Sequence, residues 1–240
     1  MDFPVFADDL DVVLCDCGEE GVTVIVANGV NPESNRKTVA LAKKYSLIKP
    51  ALGYYPTHVW EDGLEAVRKE LFWIERQRPV ALGEIGLDYK ECETESQKEM
   101  QRIIFKEFIA LGKRLRVPLI IHSRKAEADV LAILEEEEAE KVILHCFMGK
   151  KKLVERARDL GYSFSIPVSV TKLDQLQWLV RHVPLRQLLT ETDAPYLGPV
   201  RGERNTPANV RRSVERIASL VEMTVEDVAN QLFMNYQRLF

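Results

Sequence analysis

RPVALGEIG at residues 78–86 and VPLIIHS at residues 117–123 decide the fold. Each is a short apolar run without strict period-2 alternation, as a strand buried on both faces of a parallel sheet requires. Five more runs follow the same plan: VTVIVAN (22–28), SLIKPALGYYP (46–56), KVILHCF (141–147), GYSFSIP (161–167) and RQLLTETD (186–193). Helix-like patterns near 33–45, 61–77, 95–116, 125–138, 150–160 and 172–182 fall between them, and two more near 207–221 and 224–239 close the chain. Thr206-Pro207 and Thr224 are start signals for these last two, with Glu226 and Asp227 in the first turn of the second.

Strand and helix alternate with no Gly/Ser-rich linker and no shift in composition, so residues 1–240 read as one domain. The repeat count favours a (β/α)₈ TIM barrel over an open doubly wound sheet. Only seven strands are legible, and the chain opens on a helix-like segment at about 8–20. The expectation is therefore an α/β barrel missing or degenerate at its first strand, whose simplest place is ahead of Met1.

The chain has 240 residues, 33 Lys+Arg against 37 Asp+Glu, a net charge of −4 and 46% apolar residues. No apolar run reaches the roughly 18 residues of a membrane span, which excludes an integral membrane protein. MDFPVFADDLD at the start is acidic and lacks the basic and apolar regions of a secretory signal. Four cysteines (Cys15, Cys17, Cys92, Cys146) are too few for a disulfide scaffold and suit the reducing cytoplasm. An acidic chain does not coat nucleic acid through bulk charge. It has no array of basic and aromatic residues for many nucleotides, and Trp60, Trp73 and Trp178 fall in helical patterns and read as core. The balance leaves room for an enzyme that handles phosphate in one local pocket. The common nucleotide-cofactor motifs are absent.

Four strands end in Glu84, His122, His145 and Asp193. In a parallel barrel such ends share one mouth, where active sites lie. Taken singly, each has an ordinary explanation: a hydrogen-bonded core histidine, an ion-pair partner, a turn residue before Ala-Pro. Four together, in a chain with 4 histidines, favour a common site. Two imidazoles and two carboxylates suit a divalent cation such as Zn²⁺ or Mn²⁺, and Mg²⁺ where carboxylate and water dominate. His58, after the GYYPT loop, is an accessory candidate. Arg124, Arg201 and Arg204 suit bidentate phosphate or carboxylate binding, and Asn205 beside them suits holding the loop or a ligand. Cys15, Cys17 and Cys146 read as packing residues.

GEIGLDY (83–89), IHSR (121–124), LHCF (144–147), ETDAPYL (191–197) and RGERNTP (201–207), in this order and spacing, closely resemble the TatD family of metal-dependent deoxyribonucleases. The resemblance spans nearly the whole chain. It implies an amidohydrolase-like TIM barrel that binds one or two divalent ions (Mg, Mn or Zn) and cleaves DNA by metal-activated water, often exonucleolytically from the 3′ end. By the same resemblance Glu84 bridges two metals, His122 and His145 complete the second metal's ligands, and Asp193 is a ligand of the first metal and the general base. The Arg201–Asn205 stretch resembles the loop that closes beside the site.

Two departures stand out. The family's opening Asp-x-His-x-His-Leu motif is not found, so the first metal keeps only Glu84 and Asp193, and the expectation is one ion held more tightly than a second. Gly53-Tyr54-Tyr55-Pro56 stands where the family has Gly-x-His-Pro, with Tyr55 in the histidine's place. The expected partner is a single DNA strand or strand end, acted on by a monomer or weak homo-oligomer. Two alternatives stay open: a hydrolase of a small amide or lactone on the same barrel, and a catalytically impaired barrel serving as a binding module.

Overall fold

Parallel strands joined by helices account for most of the chain in a computed structural model that describes residues 1–200 and 202–240. After a short turn of 3₁₀ helix at Pro4–Phe6 come α1 (Leu10–Glu19), β1 (Ile25–Asn28), α2 (Pro32–Lys44), β2 (Ile48–Leu52), α3 (His58–Asp62) and α4 (Leu64–Gln77). Next are β3 (Ala81–Asp88), α5 (Glu95–Leu115), β4 (Leu119–Arg124), α6 (Glu127–Glu136), β5 (Val142–His145) and α7 (Lys151–Asp159). The chain ends with β6 (Ser163–Ile166), α8 (Asp174–His182), β7 (Leu188–Thr190), α9 (Val210–Val221) and α10 (Val225–Leu239). Every strand overlaps a run predicted from sequence, with β3 running on to Asp88 and β4 to Arg124, past the predicted ends at 86 and 123, and the opening segment is helical, as α1. No strand precedes β1 among the described residues. No helix among them is long and apolar enough to cross a membrane.

The chain divides into two compact units, one of residues 1–25 and 154–239, the other of residues 26–153 with Phe240. In the second, β2, β3, β4 and β5 pair in parallel in chain order. β3 is its centre, with all eight residues buried, and α5 packs against it. That helix starts at a capping box: the Thr94 hydroxyl accepts from the Gln97 amide and the Gln97 side chain accepts from the Thr94 amide. Its inner face buries Ile104, Phe105, Phe108 and Ile109. At Gly112 it comes so close to β4 that a Cβ would sit 2.4 Å from the Leu119 side chain. In the other unit β6 and β7 pair in parallel.

Three details differ from the sequence reading. His58 opens the short helix α3 rather than lying in a loop. Trp60, Trp73 and Trp178 are half-buried rather than core, because each stands on a helix face that reaches solvent; the Arg36 guanidinium lies 3.7 Å over the Trp73 ring. Of the cysteines read as packing, Cys17 is buried, Cys146 intermediate and Cys15 exposed.

Candidate active site at the strand ends

The register of the parallel ladder decides which side chains meet. Gly86 stands opposite His122, Asp88 opposite Arg124, and Ile121 opposite Leu144. The sequence reading put all three of Glu84, His122 and His145 at strand ends; in the structure Glu84 lies in the middle of β3, His122 within β4 and His145 at the end of β5, and this register brings them together. Nδ1 of His122 lies 2.7 Å from Oε1 of Glu84, and Nε2 of His145 lies 3.9 Å from the same oxygen. Gly86, between Glu84 and Asp88, has φ +136, and a Cβ there would sit 2.1 Å from the carbonyl oxygen of His122. Only glycine permits β3 and β4 to approach this closely at this point.

The other edge of the His122 ring meets two groups that the sequence reading did not assign to the site. Asp88, with no exposed surface, places Oδ2 3.2 Å from Nε2. The Tyr55 hydroxyl lies 3.3 Å from Nε2 and 3.2 Å from Oδ2 of Asp88. A signal for Asp88 was present: Glu84 and Asp88 are four apart in one strand, and even spacing puts both on one face. Tyr55 was marked in sequence only as standing in the family histidine's place, and its contacts follow from how the loop after β2 is held. The Tyr55 amide donates to the Val30 carbonyl. The buried Asn35 side chain accepts from the Gly53 amide and donates to its carbonyl and to Glu70.

Electrostatics make this a tightly coupled cluster. Burial alone would push the Glu84 and Asp88 carboxyls up, but facing imidazoles outweigh it and hold both below their ordinary values. Burial alone would push His122 down, and its bonds to Asp88 and Glu84 reverse the direction. Burial and the two carboxylates push the Tyr55 phenol above its ordinary range, so it stays a neutral hydroxyl.

Of the accessory candidates in this unit, Arg124 is half-exposed at the rim, 3.9 Å from Asp88 and 3.7 Å from Glu91. His58 stands one layer back. Its Nδ1 donates to the Val30 carbonyl, and its ring leans on that of Tyr55 at 6.0 Å.

Asp193, Arg204 and Asn205 belong to the other unit; Arg201 lies outside the described residues. Asp193 follows β7 with φ +57, and its carbonyl accepts from the Tyr196 amide. Asn205 is fully buried. It donates to the carbonyls of Thr192 and Tyr196, each at 2.7 Å, so it holds the backbone on either side of Asp193. Arg204 is engaged away from any ligand: it pairs with the Asp9 carboxylate and donates to the Val5 carbonyl at 2.6 Å.

The donors suit a divalent ion in kind, being imidazole nitrogens and carboxylate oxygens in a buried recess. Among the described residues, no three of these side chains form a finished ligand shell. The facing nitrogens are instead turned onto a single oxygen of Glu84. Two buried carboxylates sharing His122 leave negative charge that a cation offsets, and in this respect the residues fit one.

The sequence matches the TatD related DNase family along residues 1–240. It is 36% identical to the metal-dependent hydrolase YabD of Bacillus subtilis, over 97% of this chain and 92% of that protein. It is also 36% identical to the deoxyribonuclease TATDN3 of Homo sapiens, over 99% of this chain and 90% of that protein. In structure it superposes on YJJV, a TatD homologue from Escherichia coli, with a TM-score of 0.91 and 29% identity, over 100% of this chain and 94% of that one. A TatD family hydrolase from Entamoeba histolytica, 21% identical, shares the fold with a TM-score of 0.87, over 97% of this chain and 89% of that one. With the family matched along the whole chain and relatives 36% identical over nearly all of it, the chain belongs to the TatD family.

Proposed function

We propose that the chain, working as one domain in the cytoplasm, hydrolyses phosphodiester bonds in DNA, removing nucleotides from a single-stranded 3′ end. The observation that carries this reading is the Glu84–His122–His145 cluster on three adjacent parallel strands, in a chain of this family. Glu84, His122 and His145 would hold one divalent cation, and Asp193 is carried over from the resemblance as a ligand of a second. When bound, the cation supplies Lewis acidity toward water and the phosphoryl oxygens. Asp193 takes the proton of the attacking water at its carboxylate. Arg124, at the rim, pairs with a phosphate oxygen in the bidentate manner of guanidinium groups. Arg201 and His58 are accessory contacts, and Asn205 keeps Asp193 in place.

A second reading, hydrolysis of a small amide or lactone, is favoured by one observation: the Arg204 guanidinium is taken up by Asp9, which removes a phosphate-binding group. The test is hydrolysis of an end-labelled single-stranded oligonucleotide with Mg²⁺, Mn²⁺ or EDTA, alongside Glu84→Gln and a panel of lactones. Metal-dependent shortening from the 3′ end, reduced at least about 100-fold in the variant, is the expected result. Turnover of lactones alone would transfer the chain to the second reading.

A further inference from the structure

We propose that Tyr55 and Asp88 are positioning residues that act as one unit on His122, together fixing which edge of its imidazole faces Glu84. The inference rests on the reading of Glu84 and His122 as cation ligands and adds the device that aims one of them.

Three polar atoms form a closed triangle: Nε2 of His122 to Oδ2 of Asp88 at 3.2 Å, Nε2 to the Tyr55 oxygen at 3.3 Å, and the Tyr55 oxygen to Oδ2 at 3.2 Å. A carboxylate can only accept, so two donors must point at Oδ2. One is the Tyr55 O–H. The other is an N–H on Nε2, which the phenol oxygen can share as a second acceptor. Every atom of the triangle is satisfied only when Nε2 carries hydrogen; by the same rule Nδ1, 2.7 Å from Oε1, donates to Glu84 while no cation is bound, and its proton is the one a cation would displace. An imidazole held this way can offer a cation only Nδ1.

Neither holder is free to drift. The Asp88 backbone is taken at both ends by Gln101 of α5, whose side chain accepts from its amide at 2.8 Å and donates to its carbonyl at 3.1 Å. Oδ1 of Asp88 accepts from the Lys90 amide at 2.9 Å. Tyr55 is fixed by its amide bond to Val30 and by ring contacts to His58 on one side and His122, at 4.8 Å, on the other. The hydroxyl and the carboxylate therefore arrive from different elements, the loop after β2 and the end of β3, and meet on one nitrogen. Tyr55 is chemically suited to this role because a neutral phenol both donates and accepts.

The test has one arm without cation and one with it. In chelated protein, ¹H–¹⁵N spectroscopy should show an exchange-protected Nε2–H of His122, assigned by its loss in His122→Gln. It should vanish into exchange in Asp88→Asn and shift in Tyr55→Phe. Absence of a protected Nε2–H in the unaltered chain overturns the proposal, whether or not a cation binds. In the second arm, calorimetric titration with Mn²⁺ should show affinity reduced about 10- to 100-fold in Asp88→Asn and about three- to tenfold in Tyr55→Phe. The double variant should lose no more than Asp88→Asn alone, because both act through one nitrogen. Losses that multiply, or affinities equal to that of the unaltered chain, overturn it. A chain that shows the protected Nε2–H yet binds no Mn²⁺ supports the clasp and rejects the cation reading instead.

Discussion

The side-chain amide of Asn205 lies 2.7 Å from the carbonyl oxygen of Thr192, one residue ahead of Asp193. With the bond to Tyr196, this makes a buried side chain the brace of the turn after β7. Asn205→Ala leaves two buried carbonyls without donors, and each orphaned group costs about 1–3 kcal/mol. The expected loss is about 2–4 kcal/mol in urea unfolding, with new proteolytic nicking between residues 192 and 205. A variant as stable and as protease-resistant as the unaltered chain would show that the brace is redundant.

Its neighbour should behave differently. Arg204 pairs with Asp9 where both side chains reach solvent, and exposed pairs contribute little to stability. Arg204→Ala is expected to shift the unfolding midpoint far less than Asn205→Ala, with the difference shrinking in high salt. A salt-independent loss several times larger would mean that the contacts with Val5 and Phe6 matter more than the ion pair.

The two glycines Gly86 and Gly63 separate backbone strain from crowding. Both have positive φ, but a Cβ on Gly63 meets nothing within 4 Å while one on Gly86 meets the His122 carbonyl. Gly63→Ala should cost about 1–3 kcal/mol, because φ +80 with ψ +154 is a backbone region open essentially to glycine alone. Gly86→Ala should cost more than about 3 kcal/mol, because β3 and β4 must separate. Similar unfolding midpoints for the two would refute the close approach.

Without a cation, the cluster should leave a two-sided signature in stability against pH. The folded-state value of His122 lies above 6.5, so its contribution is full below pH 6.5 and is lost as pH rises through the folded value. Glu84 and Asp88 lie below 4.5 and 3.8, so their contributions are present above those values and vanish as pH falls through the folded ones. The chelated chain is expected to melt highest between about pH 4.5 and 6.5. His122→Gln should flatten the alkaline limb, and an unchanged limb would assign it to another group.

How much of this could be read from sequence follows from the range of each interaction. All seven strands were legible as short apolar runs, most plainly β3 and β6, which are buried on both faces, and α5 by its helical pattern at 95–116. Glu84, His122 and His145 were legible as polar residues closing apolar runs. Asp88 lay two residues past the run read as a strand and received no role, since its meaning depends on a register with β4 that no local pattern encodes. Tyr55 was seen as a departure from the family pattern, while its hydroxyl's partners lie 33 and 67 residues away. Arg204 read as a ligand-binding group because its actual partner, Asp9, is 195 residues distant. α3 was absorbed into a loop because five residues carry too few bonds to announce a helix.

Gln101 stands in for a strand. Asp88 turns its amide and carbonyl away from β4, and one side chain of α5 answers both. A neighbouring strand would supply the same two bonds, but it would also wall off that flank of the sheet with backbone. β2 stops at Leu52, paired with Leu82, and so never reaches this level. Substituting an amide for a rung leaves β3 with no raw edge to recruit a foreign chain, and it makes the flank beside Asp88 a matter of side chains. Its shape can therefore be altered by single substitutions without redrawing the sheet, which is how one scaffold can be refitted to different substrates.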